Sequence, residues 1–123
     1  KVKINKAENI PNTEYLKLMA QSDVLLDQIY SYTPGMNALT AMAQGLIAVS
    51  GAEPEMYSLL GEEELKPIVN ILPDETDIFQ KLENIVRKRE ELPILSNMSR
   101  KFVEKYHNTD IVAQRYIDFW TKR

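Results

Sequence analysis

The sequence predicts an α/β domain: a Rossmann-like parallel sheet of about four strands with helices on both faces, ending in three consecutive helices. Short, continuously apolar runs recur between helical patterns, each too short for an exposed helix. Beyond Leu72 the pattern becomes helical alone. Strands that read as buried on both faces and alternate with helices call for right-handed crossovers and a parallel sheet.

The expected strands are Val2 to Ile4, Asp23 to Asp27, Leu46 to Ser50 and Pro67 to Leu72. A first helix is expected from Thr13 to Gln21, with Asn12 as N-cap and Tyr15, Leu18 and Met19 on the sheet-facing side. A second runs from Met36 to Gln44 with Met36, Leu39 and Ala43 inward, and Gly45 supplies the left-handed residue after its end. Pro54 opens a short third helix, and Gly61 with three following glutamates reads as a solvated turn. Three apolar stripes follow: Ile78, Leu82, Ile85 and Val86; Leu95, Met98, Phe102 and Tyr106; and Val112, Tyr116, Phe119 and Trp120. All three read as core, packed on the sheet or on a neighbouring domain, with Pro93 and Asn108 separating the helices.

A chain of 123 residues supports one core, so residues 1–123 are expected to form a single, partial domain. Its 44% apolar and 27% charged residues match a water-soluble globular chain. The net charge of −3 argues against a nucleic-acid partner, and Arg87-Lys88-Arg89, followed at once by two glutamates, reads as a solvated helix end. The absence of cysteine removes disulfides, thiol catalysis and thiolate metal sites, and makes a cytoplasmic location the default expectation. No apolar run approaches the roughly 20 residues of a spanning helix. The start has neither an initiator Met nor a signal-peptide pattern, so the chain is expected to begin inside a longer product.

In an open parallel sheet the ligand crevice lies beyond the carboxyl ends of the strands. The segment Asp27 to Asn37 is long for a strand-to-helix loop, carries a Pro34-Gly35 turn and opens onto a helix start. Unpaired main-chain N–H groups there suit a diphosphate, with Gly35 allowing close approach; a plain turn is the alternative. The loop Ser50 to Glu55 again places a glycine after a strand. Glu55 suits a sugar hydroxyl, although acidic groups in a first helical turn are favoured by the dipole anyway. His107, before Asn108 at a helix junction, reads as a capping or surface residue. No metal-ligand spacing, nucleophile elbow or dinucleotide fingerprint is present, so no metal is expected and no catalytic residue is assigned.

Tyr15-Leu16-x-Leu-Met19, Ser22-Asp23-Val24-Leu25-Leu26, the long loop, Ala41-Met42-Ala43-Gln44-Gly45 and a strand ending in Ser50-Gly51 follow one another in this order. The order resembles the donor-binding, C-terminal half of retaining GT-B glycosyltransferases, where an "aDv" segment, a glycine-bearing loop, "EAMA-x-G", a "PVV" strand and a "GG-x-PE" turn recur. The resemblance covers the chain from Glu14 onward, and Asp27-Gln28 is similar to a branch associated with surface-polysaccharide synthesis. At the positions of Tyr32 and Thr40 that family usually carries glutamates for the donor sugar and the ribose. Tyr32 can stack or donate and Thr40 can make a weaker hydrogen bond, but neither is a carboxylate. Asn37 stands where the family often has the loop proline, and Glu55, which matches its Pro-Glu position, is the stronger candidate of Glu53 and Glu55 for contacting the donor.

The resemblance implies a glycosyltransferase domain that holds a nucleotide-sugar as donor substrate without a separate cofactor. Its donor-binding residues are Tyr32, Thr33, Gly35, Met36, Asn37, Thr40, Gly51, Glu53 and Glu55. The acceptor would be a saccharide or a lipid-linked one, contacted largely by a missing N-terminal domain, so the fragment alone should not turn over. The full-length protein would be cytoplasmic, with peripheral membrane contact as an option. Three other readings stay open: a catalytically silent nucleotide- or partner-binding module, a nucleotide-sugar epimerase of the same architecture, and a receiver-like domain. The receiver is disfavoured because Asp27 stands without the clustered acids and lysine it would need.

Overall fold

Three of the four apolar runs pair as parallel strands in the computed structural model, which describes residues 2–122. The outermost residues of the expected 1–123 unit therefore lie outside the described residues. Strands β1 (Val24–Leu26), β2 (Ile47–Ser50) and β3 (Val69–Asn70) form one sheet in the order β1-β2-β3. Val24 lies opposite Ile47, and Val49 opposite Val69. The helices are α1 (Asn12–Ala20), α2 (Met36–Ala43), α3 (Pro54–Leu60), α4 (Glu75–Arg87), α5 (Leu92–Tyr106) and α6 (Thr109–Thr121). A single 3-10 turn, Arg89–Glu91, joins α4 to α5.

Burial centres on β2. All four of its residues are buried, and since neighbouring side chains on a strand point to opposite faces, both faces of the central strand are covered. Ala38 and Met42 of α2, Ala48 of β2, Met56 and Tyr57 of α3, and Phe102 and Tyr106 of α5 make one cluster. Phe102 meets the Tyr57 ring edge-on at a centroid distance of 5.9 Å and the Tyr106 ring at 5.1 Å. A second cluster of Met19, Ala41 and Leu46 attaches α1. Gly45 has φ 87, as its place after α2 requires, and a Cβ there would also press on Ser96 Oγ of α5 at 2.9 Å.

Several expected features differ. Val2 to Ile4 forms no strand and its apolar side chains are exposed, leaving three strands among the described residues. With two apolar side chains, that run gains too little burial to offset the entropy of ordering it. Pro11, not Asn12, occupies the N-cap position of α1, and Pro93 lies within the first turn of α5, where its missing N–H costs nothing. The buried face of α2 is Ala38, Ala41 and Met42 rather than Met36 and Ala43; Met36 is 77% exposed at the open end of the helix. In α4 no residue is fully buried. Tyr116, Phe119 and Trp120 of α6 are exposed, so the third stripe is not core among the described residues. Periodicity marks an apolar face without saying what it faces.

The turn after Gly61 is also not fully solvated. Glu62 is buried, and its Oε1 accepts from Lys105 Nζ and Tyr106 Oη, each at 2.6 Å. Its Oε2 accepts from the Glu64 and Leu65 amides at 3.2 and 3.1 Å. Those donors, Lys105 foremost, hold the Glu62 carboxyl down at about 2. The carboxylate thus ties the α3–β3 turn to α5.

Candidate functional site at the carboxyl rim of the sheet

Because the three strands are parallel, their carboxyl ends share one rim, and the loops that leave them are bonded to each other. Asp27 N–H donates to Val49 O at 2.9 Å, which extends the β1–β2 ladder by one residue. Asp27 Oδ2 accepts from Ser50 Oγ at 2.9 Å, with Ser50 fully buried. Above them, residues 27–35 fold back on themselves. Ser31 Oγ donates to Thr33 O at 2.5 Å, and the Gln28 amide lies so close to Gly35 that a Cβ there would meet Nε2 at 3.3 Å.

This first loop rests directly on the second. Glu53 N–H donates to Tyr32 O at 2.9 Å. A Cβ at Gly51 would overlap the Ser31 carbonyl, so only glycine allows the two backbones to lie this close. The second loop is held in turn by β3: Ala52 N–H donates to Asn70 Oδ1 at 2.9 Å, and Asn70 Nδ2 faces Glu53 Oε1 at 3.5 Å. Lys81 of α4 donates to Asn70 O at 2.8 Å and to Asp77 Oδ1 at 3.2 Å. Asp77 also accepts from the Leu72 amide at 2.9 Å; that bond, with Lys81, holds its carboxyl below the ordinary range.

Helix α2 opens onto this rim. Gly35 is its N-cap in extended conformation, no side chain caps it, and the first intrahelical bond runs from Leu39 N–H to Gly35 O at 3.1 Å. First-turn amides without an intrahelical partner carry the partial positive charge of the helix end. Tyr32, 80% exposed, and exposed Thr33 sit on the loop before it.

Tyr32, Thr33, Gly35, Gly51 and Glu53 are therefore gathered on one rim, with exposed Met36 following Gly35 as the first residue of α2. The remaining three are differently placed. Asn37 uses Oδ1 to accept from Tyr15 Oη of α1 at 2.8 Å. Thr40 donates its hydroxyl proton to Met36 O at 2.9 Å, leaving it an acceptor only. Glu55 is exposed in the first turn of α3 and makes no bond to the rim among the described residues. His107 ends α5 with its ring 6.0 Å from Phe102, and burial lowers its pKa. Sequence reasoning missed Ser50, Asn70 and Lys81. The signal for Asn70 was present, a lone amide within the apolar run Pro67 to Leu72.

Beside the rim, Ile29 and Tyr30 face Pro73, Ile78 and Phe79 across an open groove of about 390 Å³. No group of His, Asp and Glu suited to a metal ion, and no helix long and apolar enough to cross a membrane, occurs among the described residues. Comparison with protein-family models, with curated proteins and with solved structures finds no match.

Proposed function

We propose that the chain is the donor-binding part of a GT-B-like glycosyltransferase acting on a saccharide or lipid-linked acceptor in surface-polysaccharide synthesis. The sugar diphosphate would lie against the start of α2. The observation that carries this reading is the convergence of an uncapped helix start, a glycine under close backbone approach and a half-buried glutamate on one rim of a parallel sheet. Main-chain N–H groups of Met36 and Asn37 would face the diphosphate and stabilise negative charge on the leaving nucleoside diphosphate. Glu53 would accept from donor-sugar hydroxyls. The motif order from Tyr15 to Gly51 supports the family, and the acceptor contacts would come largely from an N-terminal domain of the same protein.

Calorimetric titration of the full-length protein with nucleoside diphosphates, beside a turnover assay with sugar nucleotides, tests the proposal. Saturable binding and glycosyl transfer are expected; no binding by any nucleoside diphosphate contradicts it. One observation favours a second reading, a silent binding module: Tyr32 and Thr40 supply no carboxylate, and the Thr40 proton is already given to Met36 O. Binding without transfer to any acceptor decides for that reading.

A further inference from the structure

We propose that Asn70 is a positioning residue that aims the Glu53 carboxylate at the donor sugar, an inference that rests on the donor-binding reading above. Asn70 is the last residue of β3, and its main chain is fixed on both sides. Its Cα pairs with Ser50 across the ladder, Ile71 N–H donates to Ser50 O at 3.1 Å, and its own carbonyl accepts from Lys81 Nζ at 2.8 Å. The side-chain amide is oriented by one bond of ordinary length and one long contact. The Ala52 N–H needs an acceptor, which assigns Oδ1 to that side at 2.9 Å and turns Nδ2 toward Glu53 Oε1 at 3.5 Å.

Glu53 is thereby anchored at its amide by Tyr32 O at 2.9 Å, while Asn70 Nδ2 makes a long, weak contact of 3.5 Å to one carboxylate oxygen. Oε2 accepts no hydrogen bond among the described residues, so it is the atom left for a sugar hydroxyl. A carboxylate held by one oxygen loses fewer rotamers on binding than a free one, and rotamer loss subtracts from affinity. This division of labour explains why a strand otherwise apolar ends in an amide rather than in another aliphatic residue.

The test compares wild type with Asn70→Asp, Glu53→Gln and the double variant in the full-length protein. Calorimetry is run with uridine and guanosine diphosphate and with UDP-glucose and GDP-mannose. Asn70→Asp keeps the acceptor for Ala52 and sets a carboxylate against Glu53. It is expected to weaken sugar-nucleotide binding about tenfold or more, the scale of a hydrogen bond to a charged group, while leaving the bare diphosphate nearly unchanged. Glu53→Gln gives the same selective loss, and the double variant is no worse than either single one, because both act through one carboxylate. Should the aspartate variant not fold, Asn70→Ala is expected to show the same selectivity. Equal loss of diphosphate and sugar nucleotide, or additive losses in the double variant, overturns the positioning role alone. Failure of wild type to bind any of the four ligands overturns the donor-binding reading and this role with it.

Discussion

At the scale of single residues, contact between the two loops depends on an atom that is absent. A Cβ on Gly51 has no room beneath the Ser31 carbonyl, so Gly51→Ala must push residues 27–35 off the rim. Overpacking of this kind costs about 1–3 kcal/mol, read in a urea titration, and the same variant is expected to lose nucleoside-diphosphate affinity in calorimetry. Glu62 makes a different prediction. Its folded pKa of about 2 lies below the ordinary 4.5, so its contribution is complete above pH 4.5 and is lost as pH falls toward 2. The urea midpoint of wild type is expected to drop across that window, and in Glu62→Gln this part of the pH dependence should disappear. Neither role was fully legible in the chain. Glu62 stands in a run of three glutamates that looks solvated, and its partners Lys105 and Tyr106 lie far along the sequence.

At the scale of elements, α2 and α5 are settled by packing and α6 is not. Gly45 was readable because a helix followed at once by a strand needs a left-handed residue between them, and φ 87 is the result. Gly45→Ala is expected to cost about 1–2 kcal/mol from that backbone state, with added pressure on Ser96, as measured by thermal or urea unfolding. The inward face of α2 keeps Leu39 against the core but is centred a fraction of a turn from the face that hydrophobicity predicts. Hydrophobicity favours Met36, whereas packing selects small Ala38 beside Met42 in the cluster shared with β2 and α5, and small Ala41 against Met19 and Leu46. The stripes of α5 and α6 look alike in sequence yet differ in burial: Phe102 is fully buried and Trp120 is 73% exposed. In this chain Phe102→Ala is expected to cost about 3–5 kcal/mol. Trp120→Ala should stay within about 0.5 kcal/mol of wild type in the same denaturant series.

At the scale of the whole molecule, alternation of apolar runs and helices was sufficient for a parallel α/β sheet, of which the central strand β2 alone is buried throughout. The expected strand Val2 to Ile4 does not form, because its two apolar side chains flank Lys3 and offer too little burial to offset the entropy of ordering it. The rim was legible as a place, since its loops follow strand ends. Its internal bonding was not, because Ser50 to Asp27 and Asn70 to Ala52 join residues distant in the chain. These bonds fix Gly51 and Glu53 beside the loop that leads into α2. The central claim is that this arrangement receives the phosphates of an activated sugar. An amide NMR titration of the protein with uridine and guanosine diphosphate tests it most directly. The account predicts saturable shifts largest at Met36, Asn37 and Gly51 to Glu53. Shifts confined to residues away from the rim, or none with either nucleotide, would contradict it.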